Sequence, residues 1–379
     1  MSTSEPGKLR PRLIWTTTLM FSLTALGAVT LVPWYGLTHG YSASAWVAFA
    51  LFMAFASMSI TAGYHRLWAH RTYEAHRSVR LFMALWGAAA LQNSILVWAS
   101  GHRTHHRHVD DNDRDPYSAG RGLWFSHIGW MLRDHPSGQE NFSNTPDLLR
   151  DPIVMWQHRW YVPIALGMNI VPAVLLGLVF GNVIEMLLLA GLLRLVLGHH
   201  FTFFINSLAH AWGRRPYTDE NSARDNDVLA VLTFGEGYHN FHHQFQYDYR
   251  NGVHWWQYDP TKWLIATLSW LGLAENLKRA SNFQIQQAMI AMQFRKARER
   301  LAQAGGNVER WKALLEHEYQ HFLSVLEQWK ALKSSLYAET RRHLAYHWEH
   351  ALARTRIREF EYRLKMQRKR LALLTLQLS

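Results

Sequence analysis

The 379-residue chain contains no cysteine, which excludes disulfides, thiolate-held zinc and cysteine-ligated iron–sulfur or rubredoxin-type centres within this polypeptide. Any metal it binds must sit on nitrogen and oxygen donors. Acidic residues are also outnumbered, 28 against 40 Lys and Arg, but the imbalance is local: from Lys278 onward there are 20 basic and 9 acidic residues, and before it 20 and 19. In the first part what is missing is charge itself, over long runs. Four stretches, 13–32, 45–62, 162–180 and 183–205, are apolar for about the 20 residues that a helix needs to cross a bilayer.

The segment 33–44 has no Lys or Arg, and only Gly181 and Asn182 separate the third and fourth stretches. Basic residues flank the other ends: Lys8, Arg10 and Arg12, then Arg66, Arg71, Arg77 and Arg80, then Arg159, Arg214 and Arg215. The positive-inside rule therefore predicts two hairpins, with the N-terminus, the central region and the tail in the cytosol. The first stretch is a full span without a small-residue cleavage site, so no cleaved signal peptide is expected. Two further apolar runs, 81–98 and 262–273, read as interfacial or core helices. The first carries Gln92 and Asn93, and the second is too short to span.

What the chain has in abundance is histidine, 23 residues. His102, His105 and His106 recur at the same spacing as His239, His242 and His243, positions i, i+3 and i+4 that share one face of a helix. His65 and His70 form a looser pair at the cytosolic end of the second span, and His210 follows Asn206 by one turn on the fourth. Nine His and one Asn exceed the roughly four to six donors of a single ion, which implies two metals. Fe, Zn or Cu would suit nitrogen ligands: Zn would support hydrolysis, Fe oxygen chemistry.

With His65-Arg-Leu-Trp-Ala-His70, Trp98-Ala-Ser-Gly-His102-Arg-Thr-His105-His106-Arg107, Asn206-Ser-Leu-Ala-His210-Ala-Trp-Gly213 and Gly235-Glu-Gly-Tyr-His-Asn-Phe-His-His243, the chain resembles membrane fatty-acyl desaturases. It is most similar to the stearoyl-CoA Δ9 type, through Tyr247-Asp248-Tyr249 and Asp259-Pro-Thr-Lys-Trp263 to about Leu277. The resemblance implies an all-α integral membrane protein, with four transmembrane helices capped by a cytosolic helical domain that carries a di-iron site. The desaturase domain would be 1–277, and 278–379 a basic helical extension.

By the same resemblance, His65, His70, His102, His105, His106, His210, His239, His242 and His243 would hold two Fe ions and form the catalytic centre. Asn206 would reach one metal through water, and Glu236, Asp110, Asp113 and Asp115 would orient the imidazoles. The substrates would be O2 and a saturated acyl-CoA of about 16 to 18 carbons, with electrons from a separate donor such as ferredoxin, cytochrome b5 or an oxidoreductase. Asn93, Arg133 and Phe203 occupy substrate-contact positions. A bacterial inner-membrane protein with its active site on the cytosolic side is expected.

The chain departs from that pattern in three places. Acyl-CoA enzymes carry Arg-Asp before the first His of the second cluster, where this chain has Ser100-Gly101; Asp134 replaces a Lys beside Arg133, and Phe203 a Trp. These changes keep glycerolipid-bound or carrier-protein acyl chains open as substrates. A hydroxylase using the same metal site, or a non-enzymatic metal carrier, would also account for the histidine clusters.

His76, His108, His127, His199 and His200 read as solvated or hydrogen-bonded bystanders. Arg194, inside the fourth span, would either make an internal polar contact or snorkel to the surface. In the tail, Leu315, Phe322, Trp329 and Leu336 recur every seven residues, with Val325 and Leu332 beside them. Ile357, Leu364, Leu371 and Leu378 do the same, with Phe360 and Leu374. Such heptads favour helix pairing, as a hairpin within the chain or with a partner or second copy. The tail is expected to dock an electron donor, a partner subunit or the lipid surface. No nucleic-acid role is expected, because a membrane is already there for the charge to meet.

Overall fold

The computed structural model describes residues 11–303, 309–340 and 347–377. Four helices are long and apolar enough to cross a membrane: α1 (Trp15–Thr38), α2 (Ala43–Ala69), and, after the shorter α3 (Arg77–Ala89) and α4 (Ile95–His108), α5 (Tyr161–Phe180) and α6 (Val183–Ala211). Each runs past the apolar stretch that announces it. Pro33 lies inside α1 and not in a connection. A proline there forfeits one backbone hydrogen bond, a cost that membrane helices absorb. Ser42 caps α2, and its backbone N–H and hydroxyl both donate to Glu185 at the start of α6 (2.8 and 2.5 Å), so the α1–α2 and α5–α6 connections lie together.

The second half of α2, Ser59–Ala69, is a π-helix. The wider turn matters for His65 and His70, which on an α-helix would point about 140° apart. Here the His70 N–H bonds the His65 carbonyl five residues back (3.0 Å), and the two rings meet with centroids 4.8 Å apart.

The apolar run 81–98 is not one helix but two. Leu91 and Asn93 adopt positive φ (50° and 79°) and break it between α3 and α4. The carbonyls left at the end of α3 are met by side chains from the spans: Arg194 Nη1 and Asn169 Nδ2 donate to Ala89 (2.9 and 3.0 Å), and His199 Nε2 lies 2.8 Å from the Ala90 carbonyl. Arg194 also donates to Asn169 Oδ1 (2.6 Å) and is 1% exposed. It makes the internal contact and does not snorkel. A cation at a helix C-terminus also opposes the helix dipole.

Beyond α6 come α7 (Asp227–Leu232), α8 (His239–Gln244) and α9 (Pro260–Trp270). A two-residue antiparallel pair, Glu74–Ala75 with Ala274–Glu275, ties the end of this unit to the segment after α2. The compact unit comprises 1–214 and 220–279; a second comprises 215–219 and 280–379.

The second unit contains α10 (Asn282–Gln303), α11 (Glu309–Thr340) and α12 (His347–Gln377). Its core joins Phe283, Ile290 and Phe294 with Leu315, Phe322, Leu364 and Leu371. The two heptad series thus close on each other and on α10. Leu378 and the Leu336 and Leu374 side chains lie outside the described residues.

Replacing Arg194 by Met would leave Asn169 Oδ1 without its donor and the Ala89 carbonyl with one bond in place of two. A loss of about 1–3 kcal/mol is expected, measured as a lower midpoint of thermal unfolding for the full chain in detergent, with Arg194→Lys intermediate.

Candidate metal centre

The nine imidazoles converge as two groups. His65, His70, His102, His106 and His242 form one, and His105, His210, His239 and His243 the other; within each, the ligand atoms lie within 4.8 Å of one another. Each HxxHH motif is divided between them. On α4, His102 and His106 serve the first group and His105 the second; on α8, His239 and His243 serve the second and His242 the first. The i, i+4 pair faces one centre and the residue between them faces the other, a partition that the shared-face reading of the motif did not resolve.

The Nε2 atoms meet at short range: His70 with His102 at 2.9 Å, His65 and His106 each with His242 at 3.0 Å, His210 and His243 each with His239 at 3.1 Å. Adjacent ligands of an octahedral ion with metal–nitrogen distances of about 2.1 Å stand about 3.0 Å apart. The far ring nitrogens explain why these atoms can face one another. His105 Nδ1 bonds Asp115 (2.9 Å), His65 Nδ1 lies 2.9 Å from Glu236, and His210 Nδ1 donates to Ser222 Oγ (2.7 Å), whose own proton goes to Asp110 (2.6 Å). Such acceptors keep the proton on Nδ1 and leave a lone pair on Nε2. His242 Nε2 faces two neighbours and His239 Nε2 two more, and one proton cannot bridge both. A cation between them satisfies every lone pair, so the residues fit a metal pair.

Protonation does not compete with that role. Burial, reinforced by the neighbouring imidazoles, holds His70, His102, His106, His239, His242 and His243 well below the usual histidine range. They remain neutral, the form that ligates.

Of the four acids expected behind the imidazoles, Asp115, Glu236 and Asp110 are there and Asp113 is not. Asp113 is exposed in a turn, its N–H bonded to Asp111 Oδ1 (3.0 Å). A hydroxyl takes a place that no acid fills: Tyr117 Oη lies 3.1 Å from His102 Nδ1.

Arg66 does not lie where its sequence position suggests. Expected on a cytosolic flank, it is 1% exposed, and its guanidinium binds Glu236 Oε1 (2.9 and 3.2 Å), both oxygens of Asp259 (3.0 and 3.2 Å) and the Tyr249 carbonyl (2.8 Å). Burial alone would raise the Glu236 pKa, but the His65 ring and the Arg66 guanidinium beside it draw it down to about 2. Asp259 also caps α9 by accepting from the Lys262 N–H (2.9 Å), which accounts for the Asp-Pro-Thr-Lys motif.

Asn206 ends the regular part of α6, and a break at Ser207 turns His210 into the second group. The expected substrate positions lie outside the two histidine groups. Phe203 is buried, stacked on His199 with centroids 5.6 Å apart. Asn93 is exposed at the α3–α4 break, its N–H donating to Tyr161 Oη (2.9 Å), and Arg133 donates to the Pro11 carbonyl (2.8 Å). Ser100 is buried and donates to the Asn141 carbonyl (2.7 Å) and Asn144 Oδ1 (2.9 Å). Neither His199 nor His127 and His200, whose rings bond each other (3.0 Å), belongs to either group. Between α2 and α6 a small cleft is lined by Met53, Ala56, Ile60 and Leu195 together with Ser57 and Arg194, with Gln92 donating to Thr202 (2.9 Å) on its wall.

A family profile described as fatty acid desaturase matches residues 42–274. A probable acyl-CoA desaturase of Schizosaccharomyces pombe is 44% identical over 241 residues, 63% of this chain and 50% of that protein. Acyl-CoA desaturase 1 of Saccharomyces cerevisiae is 44% identical over 252 residues, 66% of this chain and 49% of its own length. Human stearoyl-CoA desaturase 5 is 36% identical over 286 residues, 73% and 84% respectively. The chain therefore spans about half the length of the two yeast relatives. All three are eukaryotic, so the expected bacterial inner-membrane placement draws no support from them.

Glu236→Gln keeps the shape of the side chain but weakens its hold on His65 and Arg66. Metal affinity is expected to fall about 10- to 100-fold, measured as metal retained per chain after dialysis, with the helical circular dichroism unchanged.

Proposed function

Because the chain belongs to the fatty acid desaturase family, we propose that it takes two hydrogens from adjacent methylenes of a saturated fatty-acyl chain and leaves a cis double bond. The substrate is acyl-CoA and the position Δ9. The observation that carries this reading is the all-histidine cage: two converging sets of imidazoles, with no thiolate, brought together by the ends of α2 and α6 and by α4 and α8. Two irons bound there would supply the activation of O2, its reduction to two waters being completed by the two substrate hydrogens, two donor electrons and two protons.

The protein's share is placement. The nine His would hold the metals, Asp115, Glu236 and the Ser222–Asp110 pair fix the orientation of three of them, and Asn206 would reach one metal through water. The acyl chain would be held dry between the helices, with one pair of adjacent carbons beside the two histidine groups. Asn93, Arg133 and Phe203 contact the substrate.

The desaturase domain is 1–277, its four spans form two hairpins, and the active site faces the cytosol, where a separate donor brings electrons. The absence of cysteine supports a donor in trans, since no iron–sulfur centre can be built in this chain. One observation favours a second substrate reading. Where acyl-CoA enzymes carry Arg-Asp, Ser100 is buried in bonds to Asn141 and Asn144 and offers no cation for a phosphate. A glycerolipid-bound chain needs no such cation.

Expression of the chain in a desaturase-deficient host should yield cis-Δ9 monounsaturated lipid, and His105→Ala none, by mass spectrometry of the fatty acids. Added oxygen in place of two lost hydrogens would establish a hydroxylase instead, and an active His105→Ala would reject the metal cage.

A further inference from the structure

The second unit has a face that its own core does not use. Along α12, Phe360, Leu364, Gln367 and Leu371 follow the spacing of one helix stripe and turn inward, Leu364 and Leu371 being fully buried. On the opposite side, Tyr362 and Leu373 are each 63% exposed, with the half-buried Met366 on the same line between them. Spacings of four and seven residues place these three on one stripe. Basic residues border it on both sides: Lys365 and Lys369 on one, Arg363 and Arg370 on the other, all exposed, with Arg363 paired to Glu359 (2.7 Å) and Arg370 3.8 Å from Glu318. From Tyr362 to Gln377 there are five Lys and Arg and no acidic residue.

An apolar stripe with cations on either edge is the pattern of a helix lying in a bilayer interface. There the aromatic and aliphatic side chains enter the acyl boundary, while the long basic chains reach up to the headgroups. A face for another helix would instead present its charges as alternating signs. Each Lys or Arg near an anionic surface contributes about fivefold to binding. The four apolar spans of the first unit keep a bilayer at hand.

We propose that the outer face of α12, centred on Tyr362, Met366 and Leu373, is a docking surface for an anionic lipid bilayer. The charge selects the headgroup and the stripe supplies the insertion. The assignment does not depend on the metal chemistry.

The absence of cysteine makes the test direct, because a single introduced thiol is the only one to label. Full-length protein carrying Leu373→Cys with an environment-sensitive dye is reconstituted into nanodiscs of phosphatidylcholine, with or without phosphatidylglycerol. The same dye on Ala313→Cys, an exposed position of α11, serves as the reference. In anionic discs the Leu373 label should shift to shorter wavelength and be quenched by spin-labelled lipid. Both signals should vanish in high salt, and when Lys365, Lys369 and Arg370 are changed to Glu. The Ala313 label should behave as in water throughout.

A Leu373 label that stays water-like in anionic discs overturns the proposal. So does a shift of equal size in neutral discs accompanied by Leu373→Cys cross-linking between chains, which would give the face to a second copy. A shift that appears only on adding an acidic protein would give it to that partner.

Discussion

A guanidinium with almost no access to solvent holds the metal centre to the membrane helices. Arg66 lies in the π-helical end of α2, and its carboxylate partners come from two distant stretches, Glu236 before α8 and Asp259 at the cap of α9. A buried charge survives only when paired and fully hydrogen-bonded, and stripping one partner from such an arrangement costs about 3–5 kcal/mol. Here the pairing is complete, with Asn251 supplying a further bond to Glu236 (2.7 Å) and its N–H one to Asp259 (2.9 Å). Glu236 then faces His65, so the residue that neutralises the arginine also sets an imidazole. Gly235 stands so close to Asp259 that a side chain there would collide with it.

The same economy of contacts recurs on α4. Arg103, next to His102, donates to the Ala69 and Trp68 carbonyls at the end of the π-helix (2.9 and 2.8 Å) and to Asp147 (2.7 and 2.8 Å). The arginine after the first histidine of each of the first two clusters thus reaches chain beside a different cluster: Arg66 binds Glu236, ahead of His239, and Arg103 the carbonyls ahead of His70. The imidazoles are held from behind by hydrogen bonds and from the side by cations. Most of what surrounds them is backbone that cannot shift without breaking one of these.

Sequence reading reached the four spans and the nine histidines because both signals are local. An apolar run needs no partner to be recognised, and a repeated HxxHH states its own spacing. It placed Arg66 on a cytosolic flank because charge counting has no knowledge of carboxylates 170 and 193 residues away. It read 81–98 as one helix because apolar periodicity is blind to the positive φ of Leu91 and Asn93. It ended the first span at residue 32, with Pro33 in the connection that α1 in fact includes, and it could not see that the His65–His70 spacing suits a π-turn. Asp113 resembled Asp110 and Asp115 in every respect except the turn that points it away. The tail heptads were legible as helix-pairing signals, but the part of α10 was missed, although Phe283, Ile290 and Ala297, and Phe294 and Leu301, keep the same sevenfold spacing.

The division of each HxxHH motif between two centres has a consequence for how the site comes into being. A helix that lends ligands to both sets cannot complete one set while the other is unformed. Sliding α4 or α8 by a single residue would empty both together. Any ions held there would share the helices that carry their ligands, so the seating of one set bears on the other. The repeated motif works less as two ligand sites than as a latch that admits only the finished state.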